Sequence, residues 1–149
     1  MSRKAVNEIM VGRLYQRGNM LSWPRSDKVK LFKERNISIV VNLWTKMDLD
    51  MSSIPLDCYL YLPTPRSKDM IRRRILLAAE MVAKMMAADR KAATLVLCEA
   101  GVTRSVFFCV LLEHYLHNMP LPAAYMKVVG CLPKHRMKDF MRKYCGRGN

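Results

Sequence analysis

The sequence predicts an α/β fold of three layers, a central, mostly parallel twisted sheet with helices on both faces. Three observations lead there. Ile37–Trp44 (ISIVVNLW) is an almost unbroken β-branched and apolar run, as expected of a strand covered on both sides. Thr94–Leu97 (TLVL) is a shorter run of the same kind. Around them lie stretches whose apolar residues recur at helical spacing, so strands alternate with helices.

Taken in order, Glu8–Gln16 (EIMVGRLYQ) reads as a first strand. Ser26 or Asp27 opens a short amphipathic helix with Val29, Leu31 and Phe32 inward and a basic face outward. After the Ile37–Trp44 strand, the polar TKMDLDMSSIP reads as a loop. Leu56–Pro63 is another strand, closed by Pro63 and Pro65. Ser67 is a candidate cap for a helix reaching about Ala88, with Ile71, Ile75, Ala78, Val82 and Met85 at helical spacing. Beyond the TLVL strand, Thr103–His117 is a helix stopped by Asn118 and Pro120. PAAYMKVVG and KHRMKDFMRKYC read as two further short helices whose Met, Val, Phe and Tyr residues fill the core. The expected order is β-α-β-β-α-β-α-α-α, in one domain over residues 1–149.

A chain of this length buries a core without covalent staples. Its five cysteines (Cys58, Cys98, Cys109, Cys131 and Cys145) are scattered. None forms a CxxC pair or a zinc-spaced cluster with His114, His117 or His135, so no structural metal and no cofactor are expected. The N-terminus is basic without a long apolar stretch behind it, and the longest apolar run, Val106–Leu112, is too short to cross a bilayer. A reducing, intracellular compartment, cytoplasmic or nuclear, follows from that usage. Lys and Arg number 26 against 12 Asp and Glu, a formal net charge of +14, which favours phosphates, nucleic acid or another polyanion as partner. The same charge also serves plain solubility. Nothing in the sequence sets an oligomeric state.

The segment Cys98–Ser105 (CEAGVTRS) carries the chemistry. It lies between the carboxyl end of a buried strand and the amino end of a buried helix, the usual anion site of an α/β sheet. Helix-terminal N–H groups and the helix dipole favour negative charge there. Gly101 permits backbone angles that turn successive N–H groups inward, so Glu99, Ala100, Gly101, Val102 and Thr103 are the expected phosphate-binding backbone. Arg104 can hold two phosphate oxygens with its planar fork. The same field stabilises a thiolate at Cys98, placed beneath the phosphorus for in-line attack. Ser105 can donate a hydrogen bond to the sulfur and ease its departure. A buried cysteine at a strand end beside a helix-terminal arginine is the bland alternative, and the strand-before, helix-after context is what argues against it.

CEAGVTRS matches the C-x5-R-[ST] signature of the cysteine-dependent protein tyrosine phosphatases, and the chain resembles their dual-specificity branch. EIMVGRLYQRGNM looks like that family's first strand, ISIVVNLW its central strand, YLYLPTP the strand entering its acid loop, and LLEHYLHNMPLPAAYMKVV the helices after the signature. The resemblance covers roughly Glu8 to Cys145. It implies the three-layer phosphatase fold and a covalent cysteinyl-phosphate mechanism, with Cys98 as nucleophile, Arg104 on the phosphate and Ser105 assisting the leaving thiolate. A phosphorylated protein would be the substrate.

The sequence departs from that pattern twice. Leu97 stands where the family has a histidine that orders the loop. The family's general-acid aspartate falls, over YLPTPRSKDM, on Arg66; Asp69 is the nearest carboxylate. Were Ser67 a cap, Asp69 would lie in the helix's first turn and complement its dipole. Asp48 and Asp50 are further acid candidates, although such loop carboxylates usually stay in water, and the Glu99 side chain is expected to point outward. General acid catalysis is worth about 10²–10⁴-fold, so its loss favours phenolic or anhydride leaving groups.

Two alternatives accompany the phosphoprotein phosphatase. One is an RNA 5′-triphosphatase or other phosphoanhydride phosphatase of the same fold, with Arg72-Arg73-Arg74 and Lys134-His135-Arg136-Lys138 with Arg142-Lys143 tracking a polyanion, or else forming solvated helix faces. The other is a catalytically weak phosphate-binding module. Cys58 or Cys109 could resolve an oxidised Cys98 by a disulfide, although Cys109 on an apolar helix reads first as core.

Overall fold

Side-chain alternation along the two central strands decides which helices cover which face of the sheet. The computed structural model describes residues 6–134. Strands β1 (Asn7–Met10) and β2 (Leu14–Arg17) precede helix α1 (Arg25–Arg35), strand β3 (Ile37–Asn42), helix α2 (Leu49–Ser53) and strand β4 (Cys58–Tyr61). A 3-10 turn (Ser67–Ile71), α3 (Arg73–Ala88), β5 (Ala93–Leu97), α4 (Arg104–His117) and α5 (Leu121–Gly130) follow. The sheet order is β1-β2-β5-β3-β4. All neighbours are parallel except β1 and β2. The expected three-layer α/β architecture is therefore present, with one antiparallel edge.

In β5, Ala93, Leu95 and Leu97 join Leu31 and Phe32 of α1 and Met51 of α2 on one face. Val96, and Cys98 just beyond the strand, join Ile75, Ala79, Val82 and Met86 of α3 with Val106, Phe108 and Cys109 of α4 on the other. Period two thus places Cys98 on the α4 side. Ile75, Val82 and Met86 are fully buried. Each such side chain contributes about 1.5–3 kcal/mol, which is what fixes α3 to the sheet. No described helix is long and apolar enough to cross a membrane.

Three local expectations are corrected. Glu8–Gln16 is a hairpin, not one strand. Gly12 sits at φ +67°, its N–H donates to the Glu8 carboxylate at 3.1 Å, and Val11 is exposed at the tip. The segment after β3 is not simply a loop. Asp48 caps α2 by accepting from the Asp50 N–H at 3.1 Å, and its carboxylate is buried against Lys28 Nζ at 2.8 Å, with Asp50 also 2.8 Å from that ammonium. Charge-pairing, invisible at loop level, removes Asp48 from water. Ser67 does not cap a continuous helix. A 3-10 turn runs to Ile71, Arg72 is extended (φ −67°, ψ 149°), and α3 begins at Arg73. The helix expected in KHRMKDFMRKYC lies outside the described residues, as does all of the second basic cluster except Lys134.

Candidate active site

Strand β5 delivers Cys98 to the carboxyl edge of the sheet, and the chain turns through residues 99–103 into α4. The turn is possible because Gly101 takes φ +70°. It also presses on the end of β2, where a Cβ on Gly101 would come within 2.3 Å of the Gly18 nitrogen. Asn19 completes this buttress, since its backbone N–H and its side-chain Nδ2 both donate to the Glu99 carbonyl, at 3.0 and 2.9 Å.

Inside the loop, Cys98 Sγ lies 3.2 Å from Ser105 Oγ. Both are buried, at 2 % and 0 % exposure. No side chain caps the amino end of α4, so its dipole faces the loop uncompensated by a local carboxylate cap. Arg104 Nη1 donates to the Thr64 carbonyl at 2.6 Å, and the Thr64 N–H donates to the Leu43 carbonyl at 3.0 Å. The guanidinium is thereby tied to the end of β3. Glu99 is mostly exposed, as expected, with its carboxylate 3.9 Å from Arg104 Nη2. Ala100 is exposed, Val102 half-buried, and Gly101 and Thr103 buried.

Asp69 does not stand free in this site. Its buried carboxylate accepts from Arg66 Nε at 3.1 Å and Arg72 Nε at 3.0 Å. Hydrogen bonds from Arg66, then Arg72, outweigh burial and hold its carboxyl below the usual carboxylate range. The 3-10 turn that carries it reaches the loop elsewhere, through Ser67 Oγ at 3.1 Å from Thr103 Oγ1. Asp48 and Asp50 are committed to Lys28. Leu97, the residue before Cys98, packs into the apolar cluster of the α1 face.

Cysteine placement separates the two redox partners considered above. In register, Cys58 lies beside Ile39, and Ile39 beside Thr94. Cys58 is thus two strands from β5 and about 13 Å short of Cys98 along the strand axis, at 3.3 Å per residue. A disulfide needs Cα atoms within about 7 Å. Cys109 is one helical turn below Ser105 in the core, where burial, then the Glu113 charge, push its thiol well up.

Residue-by-residue reading of the motif did not find Gln16. It is fully buried on β2, and its Nε2 donates to the Gly101 carbonyl and to Ser105 Oγ, both at 2.7 Å. Its signal was present in the strand pattern: Gln16 shares parity with Leu14, which is core, and a polar residue on an inward face needs a partner.

No protein-family model matches the sequence, and no curated protein is similar to it. Solved structures are similar. The Cydia pomonella PTP-2 phosphatase superposes at a TM-score of 0.68 with 16% identity, over 94% of this chain and 89% of that one. Human DUSP28 gives 0.61 and 14%, over 98% and 96%. P. aeruginosa TpbA in complex with phosphotyrosine gives 0.57 and 20%, over 87% and 76%. With its five-stranded sheet, its strand–loop–helix segment at Cys98–His117 and these neighbours, the chain has the fold of the cysteine-dependent tyrosine and dual-specificity phosphatases.

Proposed function

We propose that this chain is a cysteine-dependent phosphatase hydrolysing phosphate monoesters with good leaving groups, phosphotyrosine in protein foremost. One observation carries the reading: Cys98 Sγ and Ser105 Oγ in hydrogen-bond contact at the amino end of α4. The Cys98 thiolate attacks phosphorus, and the bond to the leaving oxygen breaks. Arg104 and the loop N–H groups of residues 99–104 hold the outer oxygens as charge shifts among them. Water then displaces the sulfur, releasing inorganic phosphate. The phosphotyrosine seen in TpbA supports the substrate class.

Asp69 serves as a clamp in this scheme rather than as the acid. A carboxyl held ionised by two guanidinium groups has no proton to give at neutral pH. A phenolate departs without that proton far more readily than a serine alkoxide does. The test is a panel of para-nitrophenyl phosphate, phosphotyrosine peptide and phosphoserine peptide with wild type and Cys98→Ser. Turnover of the first two, weak turnover of the third, and none in Cys98→Ser are expected. Tight phosphopeptide binding without turnover would instead make the chain a phosphate-binding module.

A second reading, hydrolysis of a phosphoanhydride such as a triphosphate RNA end, rests on the exposed Arg66, Lys68, Arg72, Arg73 and Arg74 flanking the loop. Three of these are partly engaged, Arg66 and Arg72 with Asp69 and Arg74 with the Pro63 carbonyl at 2.7 Å. Phosphate release from triphosphate-ended RNA but not from phosphopeptide would favour it.

A further inference from the structure

We propose that Gln16 is a positioning residue that aims the Ser105 hydroxyl at the Cys98 sulfur. The inference rests on the phosphatase reading only for its kinetic consequence; the hydrogen-bond geometry stands apart from it.

The Gln16 amide can be oriented in one way only. Its Nε2 lies 2.7 Å from the Gly101 carbonyl, which can only accept. The opposite flip would set two acceptors against each other in a fully buried site. Its second N–H therefore points at Ser105 Oγ, also 2.7 Å away. The amide oxygen is satisfied by Asn7 Nδ2 at 2.8 Å, so the whole group is fixed from the edge strand inward.

This arrangement decides where the Ser105 proton goes. A serine in a helix ordinarily donates back to the carbonyl four residues earlier. For Ser105 that carbonyl is Gly101, which here accepts from Gln16, while Ser105 Oγ finds its partners in Gln16 and Cys98. Ser105 Oγ also accepts from Gln16, so its own hydrogen is left for the remaining neighbour, Cys98 Sγ at 3.2 Å. By donating to Ser105 Oγ, one side chain thus orients the donor. In the second chemical step the S–P bond breaks, and its electron pair leaves on the sulfur. The water oxygen takes the vacated place on phosphorus and its proton passes to solvent. The aimed hydroxyl stabilises the sulfur as that charge returns.

The test is a double-mutant cycle on Gln16→Met and Ser105→Ala, with alkylation of Cys98 by iodoacetamide as readout, taken on the acid limb of its pH profile where the rate is proportional to the thiolate population, and mass spectrometry assigning the modified thiol. Met keeps the shape of Gln without its donors. Losing a hydrogen bond to a thiolate lowers the thiolate population by about tenfold. The sulfur that remains is more nucleophilic by about threefold. The net expectation is a fall in alkylation rate of about threefold in Gln16→Met, about the same in Ser105→Ala, and no further fall in the double variant. Rates that multiply in the double variant, or an unchanged rate in Gln16→Met, would overturn the proposal. Should Gln16→Met not fold, Gln16→Asn withdraws the amide by one methylene and reads the same cycle. With para-nitrophenyl phosphate, Gln16→Met lowers kcat more than kcat/KM and produces a burst of nitrophenol. If wild type shows no turnover, the phosphatase reading fails while the alkylation cycle still decides the role of Gln16.

Discussion

Asp69 accepts hydrogen bonds from Arg66 and Arg72 across a single 3-10 turn, and its stability role and its catalytic role predict opposite experiments. As general acid, its loss would lower rates on poor leaving groups by about 10²–10⁴-fold and remove the alkaline limb of the rate profile. As a clamp, Asp69→Asn should leave para-nitrophenyl phosphate turnover within about threefold and the shape of the pH profile unchanged, because no proton of Asp69 enters the reaction. Stability should respond instead. The folded carboxyl titrates below the ordinary aspartate value of 3.8. Its contribution is therefore fully present above that value and lost as pH falls through the lower folded one. Asp69→Asn should melt below wild type at pH 7, and the gap should close in acid. Steady-state kinetics and melting curves on the same pair of proteins check both statements. Arg66 is intelligible in the same terms: its guanidinium, with that of Arg72, neutralises the Asp69 carboxylate.

At the level of elements, the ends of strands mattered more than their middles. The strands Ile37–Asn42 and Ala93–Leu97 and the helix Arg104–His117 were legible because burial on both faces leaves a continuous apolar run, and because a phosphate loop needs a strand before it and a helix after it. The hairpin at Gly12, the 3-10 turn and α2 were not: the first two rest on short-range side-chain bonds, to Glu8 and from Arg66 and Arg72, that apolar periodicity does not report, and α2 depends on a tertiary partner, Lys28. Helix α2 gives a test. Lys28 is fully buried between the Asp48 and Asp50 carboxylates. Burial works against its charge, but hydrogen bonds to Asp48, then Asp50, raise its pKa above 10.5 overall. The ammonium is thus charged at every pH below that value, and the stability it contributes is lost as pH rises through the raised one. Lys28→Met leaves the Asp48 carboxylate buried without its cation, which costs about 3–5 kcal/mol. Urea unfolding at pH 7 should show that loss, and Lys28→Met with Asp48→Asn should recover part of it.

Over the whole molecule, the chemical groups of the candidate site can be picked out of the sequence and the residues that contact them cannot. Cys98, Arg104 and Ser105 follow from spacing within one loop, whereas Gln16, Asn19 and Thr64 reach it from other elements at sequence separations that no local pattern reports. Net charge is legible without any structure, and it makes a prediction of its own. At +14 the molecule would attract the proposed phosphorylated substrate from beyond contact distance. Such attraction acts on encounter and is screened over about 10 Å at 0.1 M salt and about 3 Å at 1 M. The interactions of a phosphate inside the loop, at hydrogen-bond distance, are screened much less. Raising sodium chloride from low to molar concentration should therefore lower kcat/KM and leave kcat nearly constant. The slope should be steeper for an acidic phosphotyrosine peptide than for para-nitrophenyl phosphate, because the peptide brings more charge to the same field. Equal slopes for the two substrates would mean that only the phosphate is felt, and that the exposed arginines of residues 66–74 take no part in capture. A fall confined to kcat would place the salt effect on the chemical steps within the loop.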